Sequence, residues 1–270
     1  MSAQPAWARA ICAQAQCPPA APRVPLWLGD ERVGSVQAGF LERYGVLARL
    51  DGRCPLALQQ RAGASAWVLP LQGATQALAA LAQALRSAGC CGPWRDEQIT
   101  VRGNAGQALA TVERGAVRVL GMATEAVHLV GTSADGARLW LQQRAQTKPT
   151  HPGRWDTLMG GMVGAGESPD QALERETWEE AGLQLAQLQQ LRMGGVVDFA
   201  HPCGEGGGAG YLIERITWYA AAVPEGVAPH NRDGEVQGFA CLVHDQVQDW
   251  LAHERFTPEA ARVLVDFYGW

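Results

Sequence analysis

The sequence predicts an α/β chain in two parts. A smaller α+β unit occupies residues 1–120, and helices packed on the faces of a mixed sheet occupy residues 121–270. Three observations predict this. Strand and helix patterns interleave through the second half, which is the order that layers helices on a sheet. The first half holds two hairpin signals and one amphipathic helix. One segment of the second half carries helix start and stop signals at both ends.

Residues 1 to about 22 read as a loose arm or a frayed helix. Leu26–Leu28, the pair Gly29-Asp30 and Val33–Val36 read as a hairpin. Val46–Leu50, Asp51-Gly52 and Pro55–Leu58 read as a second hairpin with Asp-Gly as its turn. Ala77, Leu78, Leu81, Ala82 and Leu85 recur at helical spacing, and Gly89 is a stop signal. In the second half, Ala126–Val130 and Leu139–Gln143 flank a Ser133 to Gly136 turn. Further strands are expected around Gly194–Phe199, Ile213–Val223 and Val236–Val243, with closing helices at Asp245–His253 and Pro258–Tyr268. The run from Gly204 to Gly210 reads as a flexible loop.

Composition narrows the function. The chain has 270 residues, 47% hydrophobic and 18% charged, which suits a folded core. A net charge of -5, from 22 basic and 27 acidic residues, argues against a broad nucleic-acid surface. No stretch has the length and apolarity of a membrane span, and no basic start leads into an apolar run. The seven cysteines form no CxxC pair, so neither a disulfide framework nor a zinc site is expected. Even the adjacent Cys90 and Cys91 read as thiols, and the expected compartment is reducing cytoplasm.

The chemistry concentrates in residues 161–183. Ser168 is an N-cap, Pro169 takes the first helical position and Gln171 completes a capping box. Gly182 stops the helix. Leu173, Thr177 and Ala181 form a core-facing stripe. Glu176, Glu179 and Glu180 fall together on a neighbouring face with Arg175 at its edge. Carboxylates so close repel one another, and a divalent cation removes the repulsion. All-oxygen ligands favour Mg²⁺ or Mn²⁺ over zinc. Glu167 is in range to accept a hydrogen bond from Arg175 and lock the preceding loop. A lone ExxEE would read as a solvated acidic face. Here Gly161, Glu167, Arg175-Glu176, Glu179-Glu180 and Gly182, followed by an apolar residue, stand at fixed spacing.

That spacing resembles the Nudix box in full, with Thr177 in a slot the family fills with an apolar residue. The resemblance implies an α/β/α sandwich around a mixed sheet. It also implies attack of water on a diphosphate, with Glu176, Glu179, Glu180 and the Gly161 carbonyl holding metal and Glu167 with Arg175 bracing the loop. Glu235, and after it Glu205, are candidates for an assisting base. Further segments resemble the Nudix proteins related to the domain attached to fungal thiamine pyrophosphokinases, together with their companion N-terminal domain. These run from Arg144 through Lys148 and Trp155 to Asp156, from Asp233 to Phe239, and from Phe256 to Phe267. This implies removal of phosphate from oxidised thiamine diphosphate, with Arg144 and Lys148 meeting phosphate oxygens and Trp155 stacking on a ring. A nucleoside diphosphate derivative such as ADP-ribose, NADH or coenzyme A stays open as substrate, as does a non-catalytic sensor role. The expected partner is a small diphosphate, not nucleic acid or membrane, and a homodimer is allowed. Residues 24–120 are expected to help form the pocket.

Overall fold

The computed structural model describes residues 4–50, 52, 54–61 and 63–270. Helix α1 (Ala6–Gln14) packs Trp7 and Ile11 against the apolar layer of the C-terminal helices, and Gln16 bridges to Ala200 just beyond it. The first predicted hairpin is present as β1 (Arg23–Leu28) and β2 (Glu31–Gln37), turning at Gly29 with φ 57°. A short helix, α2 (Phe40–Arg43), follows.

The second predicted hairpin requires correction. Leu47–Arg49 is a 3-10 turn, and the paired strands are β3 (Ala57–Arg61) and β4 (Ala64–Leu69). Asp51 of the expected turn lies outside the described residues. The apolar groups of Val46, Leu47 and Leu50 fill the core from a turn, imitating a strand's composition. Strand β3 lies at the edge of its sheet and is largely exposed, so Ala-Leu-Gln-Gln-Arg shows no alternation to betray it.

The first sheet has the order β2-β1-β4-β3 among the described residues, with β1 and β4 parallel. Helix α3 (Ala74–Ser87) buries Leu78, Leu81 and Leu85 in that unit's core. A hairpin not anticipated from sequence, β5 (Gln98–Arg102) with β6 (Ala108–Glu113), leads directly into the short helix α4 (Arg114–Val117). Cys90 and Cys91 are both thiols, and burial pushes the Cys91 pKa up to about 11.

The second sheet runs β11 (Gln189–Cys203), β12 (Gly210–Val223), β7 (Ala123–Ser133), β8 (Arg138–Arg144), β13 (Val236–Val243). Strand β10 (Met159–Met162) adds to β7, and β9 (Trp155–Asp156) to β8. β12 and β7 run parallel, whereas the other pairs are antiparallel, so the sheet is mixed. Alternation along β7 sends Val127 and Leu129 to one face and Ala126 and Val130 to the other. Helix α5 (Pro169–Ala181) covers the first face. Helices α7 (His244–Ala252) and α8 (Pro258–Phe267) cover the second, completing the α/β/α sandwich. The Gly204–Gly210 run folds as a tight turn, α6 (Glu205–Gly208), with Gly206 buried close to Phe40.

The two units share a seam. Tyr211 N donates to Arg118 O at 2.8 Å and Ala165 N to Gln98 O at 2.8 Å, and Ser35 N donates to Leu120 O at 2.8 Å where the chain passes from one unit to the other. Met122, Met162 and Ala209 of the second unit complete the first unit's core. No helix among the described residues is long and apolar enough to cross a membrane.

Candidate active site

Helix α5 is built as its sequence dictates. The Ser168 hydroxyl accepts from Gln171 N at 3.2 Å, and the Gln171 side chain accepts from Ser168 N at 2.9 Å. Gly182 ends the helix in the left-handed conformation with φ 63°. Beyond it, His230 N and Arg232 N donate to the carbonyls of Ala181 and Glu179, closing the helix end with the following loop. Leu173, Thr177 and Ala181 are buried against the sheet, which fixes the direction of the opposite face.

Arg175 organises that face. Its Nε donates to Glu167 Oε1 at 2.7 Å and one Nη to Glu167 Oε2 at 2.9 Å, a two-point pairing that joins loop to helix. The same guanidinium reaches Met162 O at 3.2 Å, Glu179 Oε2 at 3.0 Å and Glu176 Oε1 at 2.9 Å. The bond from Arg175 holds the Glu167 carboxyl below the usual carboxylate range. Glu180 is 3% exposed and turns inward, accepting from Gln142 Nε2 at 2.8 Å and Gly160 N at 3.1 Å. Its two donors are neutral. Burial, reinforced by the charge of Glu176, pushes its pKa up to about 8. Burial likewise pushes Glu176 up to about 7, against the pull of Arg175.

The three carboxylates do not converge on one point among the described residues. Arg175 pairs with Glu176 and Glu179 while Glu180 turns inward, and so supplies the positive charge that neighbouring carboxylates require. The donors nonetheless fit a hard cation. All are oxygens, one carboxylate is buried without a cationic partner, and strand β10 lies directly on another. A Cβ at Gly161 would stand 2.1 Å from the Glu176 carboxyl carbon, so only glycine lets the strand approach this closely.

A polar cleft of about 100 Å³ opens beside Gly160 and Gly161. His128, Arg144 and Asp156 line it from the sheet, Glu259 from α8, and Arg114 and Arg118 from the first unit. A recess of about 40 Å³ continues past Arg114, Arg118 and Thr150. Asp156 is held by Thr157 N at 2.9 Å and Thr257 Oγ1 at 3.1 Å, with Arg144 at 3.8 Å and His128 at 3.5 Å. Larger cavities exist, about 550 Å³ near Ile99 and Phe199 and about 230 Å³ near Trp7 and Phe256. Neither of these is lined by Gly160 or Gly161.

The residues singled out beyond the helix fare differently. Arg144 lines the cleft, although its guanidinium donates to Thr150 O at 3.2 and 3.1 Å. Lys148 and Glu235 form an ion pair with each other. Burial alone would raise the Glu235 pKa, but Lys148 outweighs it and holds the carboxyl below its ordinary value. Glu205 lies 3.6 Å from Arg118. Trp155 packs against Trp250 with centroids 4.9 Å apart and the rings tilted by 47°, in the layer of the C-terminal helices and outside the cleft. Strand alternation explains this, because turning Asp156 into the cleft turns its neighbour Trp155 away. Gln142, His128, Arg114 and Arg118 were not anticipated. His128 is a polar residue inside the apolar run Ala126–Val130 of β7, which is a legible if weak signal. The arginines belong to no motif.

Comparison with known proteins gives the family. The NUDIX domain profile matches residues 122–267. An uncharacterized protein of Saccharomyces cerevisiae is 26% identical over 64% of this chain and 54% of its own length. Nudix hydrolase 24, chloroplastic, of Arabidopsis thaliana is 29% identical over 59% of this chain and 44% of its own. The chain thus spans about half the length of the curated relatives it matches. A solved structure from Deinococcus radiodurans, 19% identical, covers 63% of this chain and 97% of that one with a TM-score of 0.49.

Proposed function

Because this chain belongs to the NUDIX domain family, we propose that it hydrolyses a diphosphate linkage in a small molecule, with Mg²⁺ or Mn²⁺ as cofactor. The observation that carries this reading is Glu180, a buried carboxylate with only neutral donors, set one strand from Gly161 and one turn from Glu176. Glu176, Glu179, Glu180 and the Gly161 carbonyl would hold the cation. When bound, it neutralises diphosphate oxygens, lowers the pKa of water and aligns attacker with leaving group. Arg175 and Glu167 keep the Gly161–Glu167 loop in register with the helix. Glu235, ionised beside Lys148, is our candidate for the base that takes the proton of the attacking water. A P–O bond to that water forms as the bridging P–O bond breaks, releasing a monophosphate.

For the substrate we propose oxidised thiamine diphosphate, giving the monophosphate and phosphate. Support comes from the three outer segments that resemble the thiamine-associated Nudix proteins and from the first unit's presence at the cleft. The reading also keeps the cytoplasm as compartment. A nucleoside derivative (ADP-ribose, NADH or coenzyme A type) is the alternative. Fold and box do not decide between them. The test offers the purified chain with Mg²⁺ a panel of thiamine, oxidised thiamine, ADP-ribose and NADH diphosphates, identifying products by mass. Turnover of none, with and without Mn²⁺, would leave the sensor role.

A further inference from the structure

We propose that Arg114 and Arg118, both carried by the first unit, form a phosphate clamp that completes the cleft across the seam between the units. This rests on the diphosphate reading above. Arg114 opens α4 and Arg118 follows at its C-terminal end, so the i,i+4 spacing sets both side chains on one face. That face lines the cleft opposite Gly160 and Gly161 and also the recess behind it.

The bonding of Arg118 is what needs explanation. Its side chain is only 22% exposed, yet among the described residues its guanidinium makes no hydrogen bond, and Glu205 stands 3.6 Å away. Of the other acids facing it, Glu214 accepts a hydrogen bond from Thr124 at 2.9 Å instead, while Glu259 acts on it through charge. Those carboxylates keep Arg118 protonated without using its donors. A buried polar group is ordinarily hydrogen-bonded. One nitrogen is drawn to Glu205 in a 3.6 Å ion pair, and the rest of the fork suits two oxygens of a phosphate. Arg114 spends one nitrogen on Glu97 at 2.6 Å, at the solvent side, and offers the rest of its fork to the cleft. A diphosphate lying between α4 and β10 would thus be held by guanidinium on one wall and reached by the box carboxylates' cation on the other.

The test measures binding of inorganic pyrophosphate to the full chain by calorimetry in the presence of chelator. Wild type should bind, Arg114→Gln and Arg118→Gln should each weaken binding about tenfold or more, and Arg118→Lys should recover only part. With substrate, the arginine variants should raise KM more than they lower kcat. Wild type that binds no pyrophosphate, or a double variant that binds it as wild type does, would overturn the proposal. If Arg118→Gln fails to fold, Arg114→Gln decides alone, because its one contact is a surface ion pair. The titration needs no hydrolysis. Arginine-dependent binding without turnover of any diphosphate would therefore sink the hydrolase reading and leave the clamp standing.

Discussion

A carboxylate buried with two neutral donors, as Glu180 is with Gln142 and Gly160, keeps its proton well above the usual carboxylate range. With folded values near 8 for Glu180 and 7 for Glu176, against an ordinary 4.5, these two carboxyls of the metal-free protein hold more protons folded than unfolded between pH 4.5 and 8. The stability these two carboxyls contribute is therefore fully present below pH 4.5 and is lost as pH rises through 7 and 8. In chelator, the melting temperature should fall from pH 5 to pH 8, and Glu180→Gln should flatten that slope. Mg²⁺ should raise the melting temperature more at pH 8 than at pH 5, because binding must displace those protons. A slope unchanged by Glu180→Gln would remove this carboxyl from the account. The same substitution should cut turnover by about two orders of magnitude or more, about 3 kcal/mol of transition-state stabilisation. The helix should survive, since Gln forms helix as well as Glu does.

Helix α5 shows how chemistry and packing share one segment. Thr177 is fully buried against the sheet, and its hydroxyl has no hydrogen-bond partner among the described residues. An unsatisfied buried hydroxyl costs about 1–3 kcal/mol. Thr177→Val, which keeps the shape, should raise the unfolding free energy by about 1 kcal/mol in denaturant titration and leave turnover intact. A loss of stability would mean that the hydroxyl has a partner after all. Arg175→Ala should lower activity and speed amide exchange across residues 161–167, since it cuts both bonds to Glu167 and the one to Met162 O. Unchanged exchange there would assign the loop's order to Gln98, which holds Ala165 N from the other unit. This helix was legible in sequence because cap, stripe and stop are local signals, each readable within a turn or two. The β5–β6 hairpin was legible as well but was not anticipated: Gln98-Ile99-Thr100-Val101-Arg102 alternates polar and apolar residues, buries Ile99 and Val101, and is followed by a turn that Gly103 and Gly106 close. The clamp arginines escaped for a different reason. Their role exists only once α4 is laid beside β10, and no spacing within one segment records that.

The seam gives a way to ask whether the two units work as one enzyme. Strand β2 meets the segment that enters the second unit with Ser35 N donating to Leu120 O, and Gly34 beside it has no side chain to hold the backbones apart. A Cβ at Gly34 would stand 2.5 Å from Leu120 O and 3.2 Å from Gly121 O, both backbone atoms that cannot rotate away. Gly34→Ala must therefore shift β2 away from residues 120–122, and overpacking of this kind costs about 1–3 kcal/mol. Those residues lie between Arg118 and β7, the strand on which β10 is paired. A shift here changes the spacing between α4 and Gly161 although no box residue is touched. Misplacement of about 1 Å far from the chemistry can cost about a hundredfold. Gly34→Ala should accordingly lower kcat/KM for the best diphosphate of the panel at a temperature where the variant is fully folded. Gly238→Ala, where an added Cβ meets no atom within 4 Å, serves as the control and should change little. A folded Gly34→Ala protein with wild-type kcat/KM would show that the first unit only covers apolar surface, and that the cleft of the second unit works alone.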